Sequence, residues 1–156
     1  MELRLINHIE VYEISDGVKK LSKKEKLKLA NELFKERYQK KIITLQFLSE
    51  EHFVRINADT RLHFSFKNRK EEYSEYFKRI EMAADGKYKH LILNSKYEKS
   101  TIESKVGQNE KHLEGQKYHY FSKLIIIDGE EYEVIIDVKE RNDGIFLVHQ
   151  TSLRKK

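Results

Sequence analysis

The chain has 156 residues, of which 38% are hydrophobic and 37% are charged, and its formal net charge is +5. This length suits one domain, or one domain with a helical extension. No apolar run approaches the roughly 18–20 residues that span a bilayer, which argues against a transmembrane helix. The absence of cysteine excludes a disulfide framework and a thiolate zinc site. No export signal is visible at the start of the chain, so we expect a cytoplasmic protein.

The first third of the chain predicts a short β element followed by a helix. Residues 3–14 alternate loosely, which suggests a strand or hairpin that an Asp-Gly pair ends. Ser22 and Glu25 then have the spacing of a capping box. Apolar residues recur at helical spacing after them, so we expect a helix over 22–41. Its outer face is rich in lysine, which fits either a solvated helix face or a surface that contacts phosphates.

The middle of the chain alternates between strand-like and helix-like patterns. Asn68 and Glu71 have the spacing of a helix cap, and tyrosine, phenylalanine and isoleucine follow at helical period. The elements expected here are a buried strand or a helix continuation at 42–48, a strand at 61–67, a helix at 69–84, a strand at 90–97 and a polar loop at 98–116.

The last part of the chain has the strongest strand signals. An Asp-Gly pair at 128–129 and Asn-Asp-Gly at 142–144 lie between β-branched runs and are typical of hairpin turns. Strands are expected at 117–127, 130–140 and 145–152. We therefore predict an α+β fold in which N-terminal helices pack on a C-terminal antiparallel meander of four or five strands. An N-terminal extension at 1–48 and an α+β domain at 49–156 are expected to form one compact unit.

Counting back from these turns predicts which histidines meet. Two-residue turns place His119 and His149 on one face of the sheet, together with Thr151. The two histidines would be two strand spacings apart, roughly 10 Å between backbones, which leaves room for a phosphate. A three-residue loop with a bulge would break this parity. Because the same face is mainly apolar, the alternative is that each histidine belongs to the core and bonds a backbone carbonyl.

These residue types suit cleavage of RNA without a metal ion. Histidine serves as acid and base because it changes charge near neutral pH, and lysine or arginine stabilises the charge that grows on the phosphate. His63 is an alternative member of the acid–base pair, and Thr151 would orient the phosphate. No metal and no cofactor are expected, because the histidines lack metal-ligand spacing and no Gly-rich phosphate loop is present. The expected substrate-binding residues are Arg61, Lys67, Tyr120 and Lys139.

Short motifs along residues 50–153 also resemble a known group of proteins. They are Asp59-Thr60-Arg61-Leu62-His63, Tyr118-His119-Tyr120-Phe121, Ile125-Ile126-Ile127-Asp128-Gly129, Tyr132-Glu133-Val134, Val138-Lys139-Glu140 and His149-Gln150-Thr151. Together they resemble a phage- and mobile-element-associated nuclease group of the barnase–EndoU–colicin–RelE-like superfamily. The resemblance implies helices on a four- or five-stranded antiparallel sheet, and metal-independent cleavage of RNA, with tRNA as one candidate, in a toxin or mobile-element setting. The lysine-rich helix at 22–41 has no counterpart in that pattern.

Two alternatives belong to other classes of protein. A non-catalytic module would bind RNA or DNA through the basic helix and exposed tyrosines, which stack on single-stranded bases. A third interpretation is a surface for a protein partner such as an inhibitor. The expected partners are therefore RNA and a neutralising protein, with no membrane, and the sequence carries no signal for the oligomeric state.

Overall fold

The computed structural model describes residues 5–6, 8–102 and 116–156. These ranges contain eight strands and five helices. The strands are β1 (Leu5–Ile6), β2 (Ile9–Tyr12), β3 (Ile42–Phe47), β4 (Glu50–Arg55), β5 (Lys96–Ile102), β6 (Lys117–Ile127), β7 (Glu130–Glu140) and β8 (Phe146–Lys155). The helices are α1 (Asp16–Lys19), α2 (Lys23–Leu33), α3 (Ala58–Phe64), α4 (Tyr73–Ala84) and α5 (Tyr88–Ile92). A π-helical turn at Phe34–Tyr38 continues α2.

All eight strands belong to one mixed sheet. Its order is β1-β2-β6-β7-β8-β4-β3, and β5 also pairs with β6. β6, β7 and β8 form the expected antiparallel meander, but β2 runs parallel to β6 and β4 runs parallel to β8. The predicted fold, a meander of four or five strands under N-terminal helices, is therefore wrong. The meander is only the centre of a larger sheet, because short strands from the first half of the chain add to both of its sides.

Several local predictions are confirmed. The strands expected at 117–127 and 130–140 have these bounds, and the third strand begins at Phe146 and continues to Lys155. Ser22 and Glu25 form the capping box that begins α2, with Glu25 N–H donating to Ser22 Oγ over 3.1 Å. The apolar stretch 42–48 is a strand rather than a helix continuation.

The strand expected at 61–67 is wrong, because this segment belongs largely to α3. Asn57 begins the helix: its Oδ1 accepts from Thr60 N–H at 3.1 Å, and Asn57 N–H donates to Thr60 Oγ1 at 3.1 Å. The strand expected at 90–97 is also displaced, since α5 occupies its start and β5 begins at Lys96. Residues 98–102 of the expected loop lie in β5, and 103–115 lie outside the described residues.

One face of the sheet packs on the helices and forms the core. Its buried side chains in the meander are Phe121, Ile125 and Ile127 of β6, Val134, Ile136 and Val138 of β7, and Val148 and Leu153 of β8. Within the helical layer, Arg79 is fully buried and pairs with Glu71 through two hydrogen bonds of 2.7 and 2.8 Å. Arg79 also donates to the Phe64 carbonyl, and Glu71 accepts from Leu153 N–H. This ion pair therefore joins α4 to the end of α3 and to β8.

Candidate functional site

The connection between β7 and β8 decides where His149 lies. Arg141 N–H donates to the Ile145 carbonyl over 2.8 Å, so residues 142–144 form a three-residue loop instead of a two-residue turn. The register then pairs Val138 with Val148 and Asp137 with Gln150, which makes His149 the extra residue of a β-bulge. The expectation that His149 shares a face with His119 is therefore wrong. His149 lies on the opposite side, with Asp137.

His149 meets His63 on this side of the sheet. The centroids of the two imidazole rings are 4.3 Å apart, and we call these residues the histidine pair. α3 brings His63 here because it follows β4 and packs along β8, where Thr60 Oγ1 donates to the Val148 carbonyl over 2.6 Å. The ring of Tyr118 lies 5.5 Å from that of His149. The structure thus brings together two of the three predicted histidines, His63 and His149.

Hydrogen bonds orient both imidazoles of the histidine pair. His63 Nδ1 lies 2.9 Å from the carbonyl oxygen of Asp59, and His149 Nδ1 lies 3.0 Å from Asp137 Oδ1. A carbonyl and a carboxylate only accept, so each Nδ1 carries its hydrogen and donates. Asp137 is held in turn by the backbone N–H of Gln150 at 2.8 Å. In the neutral rings, Nε2 therefore has the lone pair and is the atom available for proton transfer.

Two cavities lie along β7, and each is lined by a residue that accepts a hydrogen bond from one imidazole of the histidine pair. The first has a volume of about 610 Å³ and is lined by Asp137 and Gln150 together with Tyr120, Lys99 and Arg154. The second has a volume of about 580 Å³ and is lined by Lys139 and Arg141, with Asp59 among its other residues. Asp137 and Lys139 are two positions apart on one face of β7.

His119 lies on the other face and is 2% exposed. Its Nδ1 is 2.6 Å from Ser100 Oγ, and its Nε2 is 2.8 Å from Glu140 Oε1. The ring of Phe47 in β3 packs over it at 4.9 Å between centroids. Both ring nitrogens are therefore engaged and the ring is covered by the β3–β4 hairpin. The structure does not bring His119 to His149.

The other predicted site residues are spread over the molecule. Thr151 is 4% exposed and lies on the core face opposite Ile136. Arg61 donates to Gln39 Oε1 over 3.1 Å, and two positions along a helix place it on a different side of α3 from His63. Lys67 donates to the Glu71 carbonyl over 2.7 Å. Only Tyr120 and Lys139 line the cavities beside the histidine pair.

Three groups of this site were missed as site residues in the sequence. Strand alternation puts Asp137 and Tyr118 on the face opposite His119, so a prediction with His149 on the face of His119 assigns them no role. The sequence does not predict the role of the Asp59 carbonyl, because a strand at 61–67 would not bring this carbonyl to His63, whereas α3 does. An Asp59–His63 spacing of four residues would have indicated the contact if the segment had been read as a helix.

The described ranges contain neither a cluster of metal ligands nor a helix that could cross a membrane. In residues 5–6, 8–102 and 116–156, no group of three or more histidine, aspartate or glutamate side chains is arranged to hold a metal ion. None of the helices in the same ranges has the length and apolar character needed to cross a bilayer.

Fold and site together define a domain with a mixed sheet, five helices and two oriented imidazoles. The family described as Large polyvalent protein-associated domain 3 matches residues 22–148, which is most of the chain. The protein therefore belongs to this family of phage- and mobile-element-associated domains. No curated protein and no solved structure matches it.

Proposed function

We propose that this domain cleaves RNA at the histidine pair, without a metal ion in the reaction. The observation that carries the proposal is the contact of His63 and His149, each oriented through Nδ1 so that Nε2 can take or give a proton. Proton transfer by a positioned side chain contributes typically about 10²–10⁴-fold to a rate. Two histidines that are fixed in this way supply a base and an acid within one site.

The chemistry needs a base for the 2′-hydroxyl proton and an acid for the leaving 5′-oxygen. One neutral imidazole of the pair takes the first proton, and the other, as imidazolium, gives the second. The 2′-oxygen attacks phosphorus while the bond from phosphorus to the 5′-oxygen breaks, which leaves a 2′,3′-cyclic phosphate. Lys139 lines the second cavity, on the same face of β7 as Asp137, and would stabilise the charge on the phosphate oxygens.

Asp137 acts as a positioning residue in this proposal. Its carboxylate fixes the orientation of His149 and stabilises that ring when it is charged, as a carboxylate does for histidine in hydrolytic triads. The Gln150 N–H bond keeps the carboxylate in place. The three-residue loop and the bulge therefore have a functional consequence, since they are what puts His149 on Asp137.

The test is incubation of the pure protein with RNA in the presence of EDTA. We expect fragments that end in 2′,3′-cyclic phosphate, and a loss of about 10²-fold or more in rate for His149→Ala and for His63→Ala. His8→Asn is the matched control, because His8 is exposed, lies far along the chain and has a φ of 67°, which Asn tolerates. Full cleavage by the double variant His63→Ala/His149→Ala would remove the proposal.

A second candidate function rests on a different surface. Lys23 Nζ lies 4.6 Å from the centroid of Phe77, and Lys67 Nζ lies 5.4 Å from that of Tyr73, which is 66% exposed. Lysines beside the exposed ring of Tyr73 and the partly buried ring of Phe77 suit stacking and phosphate contact with a single strand. In the same RNA assay, salt-sensitive retention of intact RNA that Tyr73→Ala weakens would favour this binding module over the nuclease.

A further inference from the structure

Strand β3 lies at an edge of the sheet and, in the part of the chain that the structure describes, has no feature that normally prevents pairing with another strand. It is the last strand in the sheet order, and within the described residues β4 is its only strand neighbour. Six consecutive residues pair with β4 without a bulge, and the strand contains neither lysine nor proline. Exposed edges normally carry such residues, because a regular edge with unpaired N–H and C=O groups pairs readily with another strand.

Two large apolar side chains are exposed on the outer face beside this edge. Ile42 of β3 is 61% exposed and Phe53 of β4 is 71% exposed. Phe53 is the cross-strand neighbour of Thr44, and Ile42 is that of Arg55. Large apolar side chains that are exposed together at an edge indicate a surface for another protein chain.

The hairpin is also complementary to itself in charge. Lys40, Lys41 and Arg55 lie at one end of it, and Glu50 and Glu51 lie at the other. Two hairpins that approach with their β3 strands antiparallel place the basic end of one beside the acidic end of the other. Such a twofold arrangement is the commonest form of homodimer.

We propose that β3 pairs with β3 of a second copy, antiparallel and with Thr44 opposite Thr44. Directly opposite residues share a face of the sheet, so this register keeps the outer faces of both copies on one side. Ile42 then lies opposite Gln46 of the second copy, and the two Phe53 rings flank the central threonines. The two sheets become one continuous sheet. This inference is independent of the proposed catalytic function.

Sedimentation velocity of the 156-residue chain tests the dimer. We expect the wild type to sediment as a dimer and both Thr44→Lys and Thr44→Glu to sediment as monomers, because like charges directly opposite one another repel. An equimolar mixture of the two variants is expected to form a heterodimer. Thr101→Lys, a matched change at an exposed position of β5, is expected to leave the dimer intact. Circular dichroism of each variant shows that it is folded.

Chemical cross-linking checks the register. The chain has no cysteine, so Thr44→Cys introduces a single thiol. Opposite residues have Cβ atoms about 4.5–5.5 Å apart, and mild oxidation should therefore give a disulfide-linked dimer for Thr44→Cys and not for Thr101→Cys. A monomeric wild type, a folded Thr44→Lys dimer, or a Lys/Glu mixture that stays monomeric would each overturn the proposal.

Discussion

Asp128 holds together three parts of the chain at a single turn. Its carboxylate accepts from Lys78 Nζ at 2.7 Å and from Ile14 N–H at 3.0 Å, and Lys19 Nζ lies 3.3 Å away. Burial raises the pKa of this carboxyl, but the bonds from Lys78, Ile14 and Lys19 outweigh burial and hold its pKa below the usual value. The charged form is therefore the one that the fold prefers.

Asp128→Asn is expected to reduce the free energy of unfolding by about 1.5–3 kcal/mol at neutral pH, the usual range for hydrogen bonds to a charged group. Asn keeps the positive φ of 50° at this turn, so the variant removes mainly the charge. Because the native pKa is depressed, the stabilisation is complete above the unfolded value near 3.8 and is lost as pH falls through the native value. Urea denaturation at several pH values should show the wild type and the variant converging below about pH 4.

Asp143→Asn is the matched control for this prediction. Asp143 also pairs with a cation, Arg141 at 2.9 Å, but both side chains are about half exposed. An exposed ion pair contributes little, so this variant should stay within about 0.5 kcal/mol of the wild type at every pH. An Asp128→Asn effect that is the same at pH 3 and pH 7 would contradict the ionic explanation.

At the scale of elements, turn chemistry explains which hairpins the sequence predicts. Asp128 and Gly129 have φ values of 50° and 80°, and their residue types announce such a turn. The β3–β4 turn has the same kind of geometry at Leu48 and Ser49, with φ values of 54° and 65°, but neither residue type favours it. The sequence therefore does not predict this hairpin, and residues 42–48 fit either a strand or a helix continuation.

Leu48→Asn/Ser49→Gly should stabilise the protein by about 1–2 kcal/mol, because these residues adopt positive φ at little cost. Leu48 is 57% exposed, so little apolar burial is lost. Thermal unfolding measures the gain. Leu48→Val provides the opposite sign, since a β-branched side chain is strained at positive φ. Equal midpoints for all three proteins would show that the turn carries no strain.

At the scale of the molecule, local signals predicted the meander and failed for the pairings between distant segments. β6 and β7 are joined by their own turn, whereas β2 pairs with β6 and β4 with β8 across about half the chain or more. Nothing in residues 9–12 or 50–55 indicates which edge they will join, because that choice depends on how the whole core packs. The candidate site could not be predicted for the same reason. The position of His149 depends on the length of the loop between β7 and β8, and its neighbour His63 comes from α3, which is distant in sequence.

The core also bears on the predicted division into an extension at 1–48 and a domain at 49–156, which we expect to form one compact unit. Phe34 is 1% exposed, and its ring lies 4.6 Å from that of Tyr88 and 5.0 Å from that of Phe64. We expect Phe34→Ala to lower the free energy of unfolding by about 3–5 kcal/mol. Because the ring is shared by both segments, far-ultraviolet circular dichroism and tyrosine fluorescence should report one common transition. Phe66→Ala, which truncates a 68% exposed ring, should cost about 0.5 kcal/mol or less. Two separate transitions in the Phe34→Ala variant would show instead that the first 48 residues fold apart from the rest.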